Sequence, residues 1–131
     1  SLRSQAQQAG LSEEVHFLGM QRDIPAYLSA GDLFVLPSRW EAMSIALLEA
    51  LACGLPCVVS QVGDNPLLVK DGREGLTTPP ERAEPLAAAL LSLLDDPPLR
   101  AQMASQARAQ ATQFNEIEMA KQLQAVYEEL I

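Results

Sequence analysis

The sequence predicts an α/β fold in which helices cover both faces of a parallel sheet. Helix and strand signals alternate along its 131 residues. The runs 33–36 and 57–59 are apolar throughout, which is typical of strands buried on both faces. An Ala- and Leu-rich segment of helical character, residues 44–53, lies between them. At this length, and with 48% hydrophobic residues, we expect residues 1–131 to form one domain.

Each element has a local signal. Helices are predicted where a capping residue precedes an Ala- or Leu-rich segment, or where a glycine follows one. In chain order they cover residues 2–9, 23–28, 44–53, 84–94, a segment capped by Asp96, and a last helix from Asn115 and Glu118 to Ile131. Strands are predicted at 15–18, 33–36 and 57–59, followed by a loop over 63–72 and a short extended piece around 75–78. Ligands of such sheets bind beyond the carboxyl ends of the strands, so we expect a site among the loops there.

Composition excludes several classes of function. Seventeen acidic residues stand against nine Lys and Arg, a net charge of -8 that argues against nucleic acid as a partner. The longest nearly apolar run, residues 86–94, is shorter than the roughly 20 residues of a membrane-spanning helix. The sequence opens without a basic and apolar leader, so we expect no secretion. Cys53 and Cys57 make a poor zinc site, and we expect both to be buried, reduced thiols.

The loop after Leu36 carries the candidate chemistry. It leads into a helix that begins near Ser44, and free N–H groups at such a helix end favour an anion such as a diphosphate. Glu41 lies just before the helix and Glu49 about two turns into it, so their carboxylates flank the anion position at roughly 8–12 Å. Carboxylates accept hydrogen bonds from hydroxyl pairs, which suits a nucleoside diphosphate sugar. Two surface acids eight residues apart are also common, and spacing alone favours that alternative.

Two further residues allow two interpretations each. His16, on a predicted strand, is either a general base or a partly buried packing residue. Trp40 either stacks on a ligand or anchors its loop against the helix.

Several ordered motifs resemble one family. Residues 15–131 are similar to the C-terminal, nucleotide-sugar-binding half of the retaining group 1 glycosyltransferases, which have the GT-B fold. The matching stretches are VHFLG (15–19), LFVLPSRWEAMSIALLEALACGLPCVVS (33–60), VGDNPLLVKDGREGL (62–76) and QFNEIEMAKQLQAVYEEL (113–130). Glu41 and Glu49 match the Glu-x7-Glu pattern of that family. The resemblance implies a Rossmann-like sheet, here as a partial C-terminal domain of a GT-B enzyme.

The resemblance also implies a role for each residue of a donor site. Glu41 would be catalytic and contact the transferred hexosyl group, and Glu49 would accept hydrogen bonds from the ribose. The remaining contacts would come from the backbone N–H groups of Met43, Ser44 and Ile45, from Ser38 near the ribose, and from the backbone after Phe17 and Leu18 around the base. Such enzymes require no metal or other cofactor. The helix dipole and basic side chains would stabilise the leaving diphosphate.

The sequence departs from the family pattern in two places. The common Gly-Phe-Gly after the first glutamate is Ala42-Met43-Ser44, which leaves the sugar preference open. Leu67 replaces a frequent glutamate. Two strands and an Arg/Lys loop that open the family's C-terminal half precede the matched region, and we expect the 131-residue polypeptide alone to be inactive.

The missing strands would leave an apolar sheet edge. Either the strand at 15–18 pairs with the strand at 33–36, or the edge recruits another chain or the N-terminal domain. A non-catalytic remnant that acts as an interaction module is the alternative to a glycosyltransferase; an epimerase or phosphorylase fits the motifs less well. We expect a cytoplasmic protein, or one at the inner face of the membrane if its acceptor is peripheral to it.

Overall fold

The structure is a computed structural model that describes residues 1–115, 117, 120, 121, 124, 125 and 128. The described part forms a three-stranded parallel sheet between helices, which confirms the predicted α/β class. The helices are α1 (Leu2–Gln8), α2 (Ile24–Ser29), α3 (Ile45–Ala52), α4 (Asn65–Leu68), α5 (Ala83–Leu94) and α6 (Pro97–Ala111), followed by a 3₁₀ turn (Thr112–Phe114). The strands are β1 (Phe34–Leu36), β2 (Cys57–Ser60) and β3 (Gly75–Thr78).

The strands lie in the order β1-β2-β3, and both pairs are parallel. Val35 of β1 lies beside Val58 of β2, which lies beside Leu76 of β3. Parallel strands need crossover connections, and α3 supplies the one between β1 and β2. The carboxyl ends of the three strands therefore meet at one edge of the sheet.

Side chains of β2 alternate between two apolar layers. Cys57 and Val59 face α3 and pack with a buried cluster that includes Leu47 and Leu51. Val58 faces the opposite layer with Leu93 of α5 and Met103 of α6. α6 serves both layers, since its Ala107 belongs to the first cluster. The sheet is therefore covered on both faces at β2, as predicted.

The local helix signals are confirmed. Asp23 accepts a hydrogen bond from the Ala26 N–H at 3.3 Å, and Asp96 accepts one from the Leu99 N–H at 2.9 Å. Each therefore caps the helix that was predicted to follow it. The predicted last helix is not described in full, because Glu118, the predicted N3 partner of the cap residue Asn115, and the helix end at Ile131 lie outside the described residues.

The predicted strand at 15–18 is wrong. These residues are irregular, and β1 has β2 as its paired strand in the described sheet. Other groups hold the segment: the Arg3 guanidinium lies 4.8 Å from the Phe17 ring and donates to the Phe17 carbonyl at 3.3 Å, and Gln21 donates to the Leu18 carbonyl at 2.6 Å. A β-rich run forms a strand only beside a partner strand, and this run has none in the described residues.

Three other expectations need correction. β1 is not covered on both faces: Val35 is 37% exposed, because β1 is an edge strand and α5 packs mainly over β2 and β3. The predicted loop at 63–72 contains α4, which has Pro66 in its first turn. Cys57 is buried as expected, whereas Cys53, at the end of α3, is only half-buried; both thiols are free.

Candidate active site

The loop after β1 leads to a capped helix end at the carboxyl edge of the sheet. Ser44 is buried, and its hydroxyl accepts a hydrogen bond from the Leu47 N–H at 3.3 Å. This bond satisfies one of the four N–H groups that the first turn of α3 leaves without an intrahelical partner. The backbone N–H groups of Ile45 and Ala46 are among the rest. The loop thus presents hydrogen-bond donors and the positive end of the helix dipole.

Glu41 is held inside this loop. It is half-buried, and its Oε1 accepts a hydrogen bond of 2.7 Å from the Ser38 hydroxyl. A hydroxyl that donates to an ionised carboxylate makes a short, charge-assisted bond. The structure therefore brings two of the predicted site residues, Ser38 and Glu41, into direct contact.

The loop after β2 supports the backbone at Glu41. Gly63 has a φ of 51°, and a Cβ at this position would overlap the Glu41 carbonyl. One residue further, the Asp64 N–H donates to the Ala42 carbonyl at 3.2 Å. Glu41 is thus fixed through its side chain by Ser38 and through its backbone by a loop that follows another strand. Sequence reasoning missed this support; the signal available was that β1 and β2, if parallel and adjacent, end at one edge.

Glu49 lies on the exposed side of α3. Residues four apart share a helix face, so Glu49 lies one turn beyond Ile45, which is 72% exposed. The Met43 side chain, just before the helix, is 48% exposed. The predicted residues from Ser38 to Glu49 therefore form one continuous region from the end of β1 to the second turn of α3.

A small cavity lies at the carboxyl ends of the strands. Its volume is about 230 Å³, and its lining includes Pro37 after β1, Ser60 of β2, Thr78 of β3 and Arg82. Nearby, Arg39 of the loop after β1 forms an ion pair of 3.0 Å with Glu81 of the loop after β3. Sequence reasoning missed both Arg82 and this pairing, because they depend on β3 lying beside β2.

Phe17 and Leu18 do not line the small cavity at the carboxyl ends of the strands. They line another cavity, of about 470 Å³, together with residues of α1 such as Arg3. Their predicted contact with a base stays a prediction. His16 lines the same cavity and is exposed, so the partly buried packing residue is wrong. Trp40 is 82% exposed, which does not fit an anchor packed on the helix.

Comparison with known proteins gives one consistent family. A family model described as glycosyl transferases group 1 matches residues 1–110. The sequence is 42% identical over 86 residues to UDP-Gal:alpha-D-GlcNAc-diphosphoundecaprenol alpha-1,3-galactosyltransferase of Escherichia coli, covering 66% of this chain and 22% of that protein. It is 35% identical over 133 residues to the lipopolysaccharide core biosynthesis mannosyltransferase LpsB of Rhizobium meliloti, covering 99% of this chain and 38% of that protein. The chain therefore spans less than two fifths of the length of either relative.

Solved structures give the same result. Anabaena HepE, crystallised in complex with UDP, matches with a TM-score of 0.92 and 32% identity, covering 98% of this chain and 36% of that one. Sucrose-phosphate synthase from Thermosynechococcus elongatus matches with a TM-score of 0.90 and 30% identity, covering 98% and 33%. A further structure of HepE contains UDP-glucose. These likenesses confirm the predicted Rossmann-like fold and the resemblance to GT-B glycosyltransferases.

Proposed function

The chain belongs to the group 1 glycosyl transferases, and we propose that it forms the donor-binding part of an enzyme that transfers a hexosyl group from a nucleoside diphosphate sugar with retention of configuration. One observation carries the proposal: Glu41 and Glu49 lie before and after the capped start of α3, at the carboxyl edge of a parallel sheet. The UDP and UDP-glucose complexes of HepE support a nucleotide sugar as the ligand. The partial domain would then be 1–131.

The proposed roles follow from the chemistry of each group. Glu49 accepts hydrogen bonds from the ribose hydroxyls, and Glu41 accepts from hydroxyls of the hexose near its anomeric carbon. The first N–H groups of α3 donate to the distal phosphate. During transfer the bond from the anomeric carbon to the phosphate oxygen breaks, and the diphosphate leaves with the electron pair. The acceptor hydroxyl forms the new bond and gives up its proton to the leaving diphosphate.

The helix end stabilises the charge that develops on the leaving diphosphate. We propose that transfer needs no metal, so that EDTA would leave the rate unchanged. A rate that falls with EDTA and returns with Mg²⁺ or Mn²⁺ would contradict this part of the proposal.

We also propose that the 131-residue polypeptide alone is inactive. Residues 31–75 contain six acids and three bases, and two of those bases are in ion pairs: Arg39 with Glu81, and Arg73 with Glu74. A helix end contributes only about 0.3–1 kcal/mol at an exposed site, too little to hold a diphosphate alone. Further basic groups are therefore needed. Transfer by the isolated polypeptide at the rate of a complete enzyme would contradict this.

The relatives suggest a setting for the reaction. The Escherichia coli relative acts on a diphosphoundecaprenol acceptor, and LpsB is named for lipopolysaccharide core biosynthesis. Within the described residues, no helix has the length and apolar character needed to cross a bilayer. We propose a role in glycan biosynthesis, in the cytoplasm or at the inner face of the membrane, with an acceptor peripheral to that membrane.

Glu49 provides the direct test. In the complete gene product that contains these residues, Glu49→Ala would weaken binding of the nucleoside diphosphate about tenfold to a hundredfold, because bonds from two hydroxyls to a charged acceptor are lost. Glu128→Ala, which removes an exposed helical carboxylate elsewhere, is the control and would leave binding of the nucleoside diphosphate unchanged. Binding is measured by calorimetry with UDP and GDP. If the unmutated protein binds neither nucleotide, the non-catalytic alternative is favoured; if it binds and Glu49→Ala has no effect, Glu49 is a surface acid.

A further inference from the structure

We infer that Ser38 is a positioning residue that acts through Glu41, rather than a residue that contacts the ribose. The inference rests on the proposed function and assigns Ser38 to the sugar end of the donor. It is carried by one contact: the Ser38 hydroxyl donates to Glu41 Oε1 at 2.7 Å.

The contact determines what the Ser38 hydroxyl can do. A serine hydroxyl has one proton to donate, and here that proton is directed at the carboxylate. It cannot donate to a ribose hydroxyl at the same time. Ser38 is half-buried and follows Pro37, which fixes its own backbone φ at the end of β1, so the hydroxyl is held by a short and rigid connection to the sheet.

The same contact distinguishes the two oxygens of the Glu41 carboxylate. Oε1 already accepts one hydrogen bond from Ser38, so Oε2 has the greater remaining capacity to accept from hexose hydroxyls. Gly63 and Asp64 fix the backbone of this loop, so rotation of the side chain is the main freedom that Glu41 keeps. Ser38 restricts that rotation. The carboxylate then meets the sugar in one orientation, which is what a preorganised site requires.

Comparison of two ligands separates positioning from ribose contact. The complete gene product is titrated by calorimetry with UDP, UDP-glucose, UDP-galactose, GDP and GDP-mannose. The nucleotide and sugar nucleotide that the unmutated protein binds most tightly are used with each variant. We expect Ser38→Ala to weaken binding of the sugar nucleotide about tenfold and to leave binding of the nucleoside diphosphate within about twofold. Ser38→Thr, which keeps a hydroxyl, restores the sugar-nucleotide affinity.

A double-mutant cycle tests whether Ser38 acts through Glu41. In a Glu41→Ala background, Ser38→Ala is expected to add less than about a twofold further loss of affinity for the sugar nucleotide, because its partner is already absent. Ser92→Ala is the matched control, since its hydroxyl donates to the Ala89 carbonyl within an exposed part of α5. If Ser38→Ala does not fold, Ser38→Cys, which keeps the size but has a weak donor, takes its place.

Three results would overturn the inference. Equal weakening of nucleotide and sugar nucleotide would assign Ser38 to the ribose. Independent, additive losses in the cycle would show that Ser38 does not act through Glu41. If Ser38→Ala changes the affinity for neither the nucleotide nor the sugar nucleotide, the contact of Ser38 with Glu41 has no role in donor binding. In all three the unmutated protein still binds donor, whereas failure of the proposed function would appear as no binding of any ligand before mutation.

Discussion

Gly63 lies against the carbonyl of Glu41 with no space for a side chain between them. The contact joins the loop after β2 to the loop after β1, at the point where the candidate catalytic carboxylate leaves the backbone. Gly63 also has a positive φ of 51°, which residues with a Cβ rarely adopt. Both the conformation and the close approach therefore require glycine.

Substitution of Gly63 by alanine tests this contact. We expect Gly63→Ala to lower the free energy of unfolding by about 2–4 kcal/mol, from backbone strain plus displacement of the Glu41 carbonyl. Because the displaced segment carries Glu41, binding of the sugar nucleotide should weaken as well. Urea denaturation and calorimetric titration measure the two effects.

Gly72 supplies the control for that experiment. Its φ is +79°, but a Cβ there would have nothing within 4 Å. Gly72→Ala should therefore cost only the backbone term, about 1–2 kcal/mol, and leave donor binding unchanged. If Gly63→Ala and Gly72→Ala lose the same free energy of unfolding, the close contact of Gly63 with Glu41 contributes nothing to stability.

The cap of α3 has its own stability contribution. Removing the Ser44 hydroxyl leaves the Leu47 N–H without its acceptor, so Ser44→Ala should destabilise the fold by about 0.5–2 kcal/mol. Ser44→Thr keeps an acceptor oxygen and should retain most of the stability that the cap provides. Urea denaturation gives the values, with Ser92→Ala as a surface control expected to change less than about 0.5 kcal/mol. A Ser44→Ala variant as stable as that control would exclude a capping role.

Local signals predicted much of the fold. Asp23 and Asp96 act within three residues of themselves, so the sequence around them is enough to place their helices. The apolar runs at β1 and β2 were likewise recognisable without knowledge of their partners. The prediction of a strand at 15–18 was wrong because strand formation depends on a neighbouring strand, and the local sequence gives no information about one.

Part of the candidate site was likewise predictable from the local sequence, and part of it was not. The place of Glu41 before α3 and of Glu49 in its second turn was predictable, because the sequence marks where this helix begins. The contacts of Glu41 with Ser38 and Gly63 were not, because one depends on a side-chain rotamer and the other on how two loops pack. The exposure of Val35 was missed because the position of β1 in the sheet decides it.

The buried Cys57 thiol predicts a dependence of stability on pH. Burial, and secondarily the negative charge of Glu74, raises the pKa of Cys57 from 9.0 to about 12. Between these values the unfolded chain has lost the thiol proton and the folded chain keeps it. This contribution to stability is therefore complete below pH 9 and falls by about 1.4 kcal/mol per pH unit as the pH rises toward 12.

The measurement for Cys57 is a series of denaturant titrations from pH 8 to 11. Other groups also titrate in this range, so the prediction concerns a difference between variants. Cys57→Ala should lose stability less steeply with rising pH than the unmutated chain. Identical slopes in Cys57→Ala and the unmutated chain would contradict the raised pKa.

The exposed side of β1 predicts self-association of the 131-residue polypeptide. β1 is an edge of the described sheet and Val35 is 37% exposed there, so one side of its backbone has no paired strand among the described residues and an apolar side chain is exposed. Such edges pair with other chains unless a charge intervenes. We expect light scattering after size-exclusion chromatography to give a mass that rises with concentration, together with binding of a hydrophobic dye. Val35→Lys should reduce both, whereas Leu91→Lys, a matched change at an exposed position of α5, should not. A monomer that binds no dye at any concentration would show that this edge is already protected.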